Sequence, residues 1–257
     1  MQSIKSKVKQ RDANILAHGY EGRMRHVETA CIGLYFVLFG MLAAKLVLTT
    51  PFTSAAFLLI PSFVLSMAIA DFISGILHWS ADTWGSYNWP IVGMTVIRGF
   101  REHHVNQYAI TEHDFIQTNG SAIIVAMPFQ IIALLIPVMG YVSFFVFSAL
   151  AFLTLWGPMT NQIHKWAHQR QPPRLVRALQ KARIILPQQN HSVHHDAPFA
   201  CYYCITTGWC NWTLTQIQFF RFLEKIITRL TGAIPREDDI GTVAAKMLAR
   251  EQGIIKT

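Results

Sequence analysis

The chain has 257 residues, 52% of them hydrophobic and only 14% charged, with a formal net charge of +8. Several apolar stretches reach the roughly 20 helical residues needed to cross a hydrocarbon core of about 30 Å, so the composition describes a polytopic membrane protein. The positive balance then reads as anchoring to anionic lipid, because no basic-aromatic or helix-turn-helix pattern argues for nucleic-acid binding.

In chain order, residues 1–26 form a basic arm carrying Lys5, Lys7, Lys9, Arg11, Arg23 and Arg25. The arm lacks the apolar core and small-residue cleavage site of a signal peptide. His18 and His26 within it read as surface residues. A first span is predicted over Val27–Thr49, with Lys45 near its far end able to snorkel toward headgroups. The second, Phe52–Trp79, is longer than a bilayer needs and contains Pro61 and Asp71, so its last turns are expected to leave the hydrocarbon. A loop over residues 80–120 follows. Ser121–Met139 and Gly140–Trp156 are two shorter runs divided by the Pro137–Gly140 breaker, either two full crossings or a re-entrant pair that dips in and returns. Residues 157–257 read as a helical cap and tail, with Glu237, Asp238 and Asp239 on a solvated face. No linker or repeat divides the chain, which reads as one all-α integral membrane domain with about four transmembrane helices.

Charge sets the orientation. The loops after the first and third spans contain no Lys or Arg, and apart from Lys45 the basic residues lie in the arm and in the segments after spans two and four. By the positive-inside rule both termini and both large loops are cytoplasmic, in either the endoplasmic reticulum membrane or a bacterial inner membrane.

Nine of the eleven histidines fall in four clusters within the rest of the chain: His78; His103, His104 and His113; His164 and His168; and His191, His194 and His195. An even number of crossings brings all four clusters to the cytoplasmic face. Asp71, Gly75, His78 and Asp82 follow one helix face, as do Asn161, His164 and His168. Carboxylates in a membrane helix are costly enough to signal function. Asp71 and Asp82 are therefore expected to accept N–H bonds from ligand imidazoles, with Asp82 also a possible ligand and Asn161 a weaker member of the set. His103 and His104 diverge by about 100° in a helix, which would let one serve each of two metals. Imidazole suits zinc, copper, iron and nickel, but nine histidines far exceed one zinc site. The paired Glu and Glu-x-x-His pattern of carboxylate-rich diiron bundles is missing. A histidine-rich site for two Fe ions is the remaining fit.

Four segments carry a family resemblance: DFISGILHWSADTWG (Asp71–Gly85), FREHHVNQYAITEHDFIQTNG (Phe100–Gly120), NQIHKWAH (Asn161–His168) and HSVHHDAPFACYYCITTGWCN (His191–Asn211). Together they resemble the plasmanylethanolamine desaturase family, histidine-rich membrane diiron lipid desaturases that include CarF-type bacterial proteins. The resemblance runs from about residue 70 to 212. It implies an oxidoreductase that converts the 1-O-alkyl ether of plasmanylethanolamine to the vinyl ether of a plasmalogen, using O2 and external electrons. The motif positions that carry over as metal-binding and catalytic residues are the nine clustered histidines, with Asp71, Asp82 and Asn161 beside them. Phe100 stands where a full HxxHH box ending at His104 would begin, and His113 is the expected compensation. Asn106, Gln107, Tyr108 and Glu112 depart from the family loop. A related plant branch desaturates an acyl chain of phosphatidylglycerol and is the alternative activity.

Hydrogen removal from an unactivated alkyl chain needs an oxidant that side chains cannot supply. The lipid headgroup is expected near Trp79, Trp84, Arg98 and Arg101, so that headgroup anchoring sets which bond is oxidised. No dinucleotide fingerprint, haem-attachment motif or fused redox domain is visible. Electrons are therefore expected from an acidic carrier such as cytochrome b5 or a ferredoxin, on a basic face including Lys165, Arg170, Arg174, Arg177, Lys181 and Arg183. Those charges read equally well as lipid contacts. Cys201, Cys204 and Cys210 read as packing residues, since a cytoplasmic site disfavours disulfides. A membrane zinc hydrolase and a haem-binding membrane cytochrome are the readings of a different class.

Overall fold

The computed structural model describes residues 15–16, 19–20, 22–49, 55–196, 199–236, 247 and 250. His18, the first lysines of the arm and the acidic run at 237–239 lie outside the described residues. The apolar runs become four long helices: α1 (Gly22–Thr49), α2 (Leu59–Trp84, entered through a 3-10 turn at Ala56–Leu58) and, after the short α3 (Arg98–Val105), α4 (Phe115–Leu135) and α5 (Tyr141–His168). All four are long and apolar enough to cross a membrane. Four shorter helices follow: α6 (Arg174–Lys181), α7 (Gln188–His194), α8 (Trp209–Gln216) and α9 (Phe219–Thr231). No strand occurs among the described residues.

Helix α5 sits between α4 and α2, and α1 closes the far side of α4. Contacts at the two ends establish that α1 and α4 run in the same direction, with α5 opposed to both. At one end Arg25 pairs with Asp114 at 2.6 Å, joining the starts of α1 and α4. At the other, Lys45 donates to the carbonyls of Leu134 (2.7 Å) and Ile136 (2.6 Å) and lies over the Phe147 ring. Lys45 thus does not snorkel outward as its position in the sequence suggests. It caps α4, where the last carbonyls of a helix lack intrahelical donors and carry partial negative charge. The turn between α4 and α5 therefore lies level with the far end of α1, so the last pair reaches as far as α1 does.

Each of the four helices outruns, at one end, the apolar stretch that predicts it. Helix α4 starts at Phe115, ahead of the apolar run, because Asp114 caps it by accepting from the Gln117 N–H at 3.0 Å. Helix α5 continues through polar residues to His168. Its 28 residues extend about 42 Å, more than a hydrocarbon core of roughly 30 Å, so its histidine end stands clear of the apolar slab. Hydropathy reports where lipid is, not where a helix stops.

Pro158 lies inside α5 and has no N–H for the carbonyl of Thr154. Tyr35 of α1 supplies the missing donor across the bundle, its hydroxyl 2.8 Å from that oxygen. Replacing Tyr35 by Phe is expected to lower unfolding stability in nanodiscs by about 1–2 kcal/mol by stranding a buried carbonyl. In a Pro158→Ala background, where an intrahelical N–H is restored, the same substitution should cost much less; equal costs in a double-mutant cycle would contradict this assignment.

Candidate metal centre

The polar stripe predicted on the second span is the face of α2 that receives the returning chain after α7. Asp71 is fully buried. Its Oδ1 accepts from the backbone N–H groups of Thr206 (3.1 Å), Thr207 (2.8 Å) and Gly208 (2.8 Å), and its Oδ2 from that of Cys210 (3.0 Å). One turn on, Ser74 Oγ accepts from the Ile205 N–H, and Asn211 closes both backbone groups of Cys204. A Cβ at Gly75 would come within 2.5 Å of the Cys204 sulfur, so glycine is what lets this segment lie against the helix. All four cysteines are free, and Cys204 is a core residue beside Trp79, Tyr203 and Phe220.

Pinned in this way, the segment presents two carbonyls to two imidazoles. His78 Nδ1 lies 3.0 Å from Tyr203 O, and His194 Nδ1 lies 3.0 Å from Cys201 O. A carbonyl only accepts, so each ring carries its proton on Nδ1 and turns an Nε2 lone pair inward. Sequence reasoning missed both carbonyls, because every residue has one and no side-chain signal marks them.

Eight histidines and one aspartate collect in two adjacent groups. His103, His164, His168, His191 and His195 form one, and His78, Asp82, His104 and His194 the other, with the ligand atoms of each group within 4.8 Å of one another. Helices α2, α3, α5 and α7 contribute. Between neighbours on a helix lies about 100°, which sends His103 and His104 to different groups, as it does His194 and His195 at the end of α7. A π-turn at Gly93–Ile97 feeds directly into α3.

The donor set fits cations. Nε2–Nε2 separations are 2.9 Å for His103 and His195, 2.8 Å for His164 and His191, 3.1 Å for His191 and His195, and 3.2 Å for His104 and His194. Nitrogens bound at about 2.1 Å to one ion lie about 3 Å apart when adjacent. In the second group, the Nε2 atoms of His78, His104 and His194 stand 3.2, 3.0 and 3.4 Å from Asp82 Oδ2. For His78 and His194 this sets lone pairs against a carboxylate in a site closed to water, and Asp82 Oδ1 receives no hydrogen bond at all. Only positive charge between them makes that arrangement favourable. Outside the membrane-spanning helices, burial pushes His103, His191 and His195 well below the ordinary histidine range, and the neighbouring imidazoles add to the effect. They are held neutral, the form that binds metal.

Other expected site residues lie elsewhere. His113 is outside both groups, with its Nε2 3.2 Å from Glu102 Oε2, while its backbone carbonyl accepts from Lys165. Asp82, expected mainly as an orienting group, sits among the donors. Asp71 does not touch an imidazole and instead organises the backbone that does. Asn161 donates to Thr118 O at 3.0 Å, tying α5 to α4. The residues expected at a lipid headgroup are turned inward. Trp79 is buried and donates to Glu224 (3.2 Å), Trp84 packs edge-on against it, and Arg98 is held by Leu16 O (2.8 Å) and Glu102 (2.9 Å). Arg101 is also buried. Apolar and ion-paired partners outcompete solvent at these positions.

A bundle of four apolar helices closed at one end by two buried, imidazole-rich groups that could hold metal ions defines a class of helical membrane protein. Residues 67–238 match the lipid desaturase domain, and the chain belongs to the lipid desaturase family; it is an oxidoreductase. It is 44% identical over 252 residues to the plasmanylethanolamine desaturase of Myxococcus xanthus, covering 98% of this chain and 89% of that one. Plasmanylethanolamine desaturase 1 of mouse is 45% identical over 193 residues, 71% of this chain and 70% of the relative. The chloroplastic fatty acid desaturase 4 of Arabidopsis thaliana is 33% identical over 175 residues, 65% of this chain and 51% of the relative. No solved structure matches.

Substituting Asp71 by Asn, which keeps the shape and removes the charge, is expected to cost about 1.5–3 kcal/mol of stability; Ala should cost more, and thermal unfolding of both variants checks the order. Metal-free protein should be acid-labile. His103, His191 and His195 stay neutral when folded, whereas the unfolded chain binds protons near pH 6.5. Their stabilisation is complete above that pH and declines below it by about 1.4 kcal/mol per pH unit for each imidazole. Metal-free samples unfolding equally at pH 7.5 and 5.5 would contradict this.

Proposed function

We propose that this protein is a plasmanylethanolamine desaturase, introducing the vinyl-ether double bond of plasmalogens into 1-O-alkyl ether phospholipid in ether lipid metabolism. The observation that carries the reading is the pair of adjacent donor groups, eight imidazoles and Asp82, at one end of an apolar helix bundle. The donor set is assigned to two non-haem irons, one held by His103, His164, His168, His191 and His195 and the other by His78, Asp82, His104 and His194. When bound, such irons supply with O2 the oxidising power to remove hydrogens from an unactivated methylene, chemistry no side chain provides.

The chain's own residues have narrower tasks. The carbonyls of Tyr203 and Cys201 hold His78 and His194 in the tautomer that keeps Nε2 free. Burial keeps His103, His191 and His195 unprotonated, and the surrounding apolar walls exclude water from the reacting chain. Electrons are assigned to an external acidic carrier such as cytochrome b5 or a ferredoxin. Arg170, Arg174, Arg177, Lys181 and Arg183 are exposed and suit such a partner. The distribution of Lys and Arg supports a cytoplasmic placement of this face.

Greater identity and coverage with the plasmanylethanolamine desaturases than with the plant acyl-chain enzyme favours the ether-lipid substrate. A single-zinc hydrolase would leave one donor group without a purpose. Ring nitrogens 2.8–3.2 Å apart leave no room for a haem macrocycle between them.

Expression in cells that contain alkyl ether phospholipid but lack plasmalogens should yield acid-labile vinyl ethers, and purified protein should carry two irons per chain. His164→Ala and His195→Ala should abolish both product and the full iron complement, while His113→Ala should retain the iron. A new acyl double bond in place of the vinyl ether would support the plant-type reaction, and one zinc per chain would refute the diiron assignment.

A further inference from the structure

Helix α9, Phe219–Thr231, has three faces at 100° per residue. Phe220 and Glu224 are buried, and Ile227 packs beside them on the cluster around Trp79 and Tyr203. About a third of a turn away, Phe222, Ile226 and Leu230 form a stripe, exposed by 60%, 37% and 78%. Beyond the stripe come Lys225 and Arg229, both exposed. A helix surrounded only by water gains nothing from an apolar face separate from its packing face. The order packed, apolar, cationic is that of a helix lying in a membrane interface against a protein wall, with its apolar stripe among acyl chains and its cations at phosphates.

Continuity with the bundle supports the same placement. Phe219, at the head of α9, packs its ring 5.8 Å from that of Phe72 on α2. Phe72 belongs to an exposed apolar flank of α2 with Ile73 and Leu77, the surface that a membrane span turns to lipid. The stripe on α9 therefore extends the lipid-facing side of a span outward along the cap. We propose that α9 is an interfacial membrane anchor, embedded through Phe222, Ile226 and Leu230 in a leaflet containing anionic phospholipid, with Lys225 and Arg229 on its headgroups. This placement also sets Glu224, the acceptor for the Trp79 indole, on the inner side of a helix fixed at the membrane surface, so the anchor is hydrogen-bonded to the helix that carries His78.

The test is made on the full chain in vesicles of phosphatidylcholine and phosphatidylglycerol. Cys31, Cys201 and Cys210 are replaced by Ser, and a fluorophore is attached at Leu230→Cys, Phe222→Cys or Lys225→Cys. Labels at 230 and 222 are expected to be quenched several-fold more by doxyl groups on lipid chains than by aqueous iodide, and the label at 225 more by iodide. Replacing phosphatidylglycerol by phosphatidylcholine should reduce doxyl quenching at 230. Iodide quenching at 222 and 230 equal to that at 225 would overturn the anchor. Shielding from both quenchers would mean that protein covers the stripe and would overturn it as well. Doxyl quenching unchanged without phosphatidylglycerol would remove the anionic-lipid part. These readouts do not depend on which lipid is oxidised.

Discussion

A carboxylate sealed inside a membrane helix must find donors, and Asp71 finds four backbone N–H groups on a single returning segment. The rest of the site follows from that attachment. Water is not available at full burial, so the cost of stranding the charge is high and the segment is held in one register. Register decides which carbonyls face α2, and those carbonyls decide which nitrogen of His78 and His194 keeps its proton. The link from a buried charge to a metal-ready imidazole thus passes through main chain alone.

The same low-dielectric interior shapes the donor groups. Imidazoles packed at contact distance would repel one another if charged, and burial independently disfavours protonation of His103, His191 and His195. Both effects hold those three rings neutral, the form that binds metal. Asp82 adds negative charge to one group and none enters the other, so the two sites differ electrostatically although they are neighbours. That asymmetry is built into the fold itself.

Much of this was legible in the chain. The four apolar runs, the clustering of nine histidines on one side of an even number of crossings, and the helical stripe from Asp71 to Asp82 all follow from spacing and hydropathy. Less legible was how each polar residue is used. His113 shares a motif with His103 and His104 yet pairs with Glu102, because the chain leaves α3 at Asn106 and passes through a separate short turn before Asp114. Trp79 and Arg98 look like headgroup contacts by composition, but both are buried against partners distant in sequence. Lys45 resembles a snorkelling lysine and caps another helix.

By itself the sequence determined the class of protein: apolar length and periodicity act locally, so they specify membrane helices, and histidine spacing along those helices specifies which faces carry ligands. Only the tertiary structure decided the division of the imidazoles into two groups, the entry of Asp82, the departure of His113 and the role of the Tyr203 and Cys201 carbonyls. Those outcomes depend on distances between segments up to 125 residues apart, as in the contact of His78 with the Tyr203 carbonyl. They also depend on backbone groups common to every residue, which spacing along one chain cannot encode.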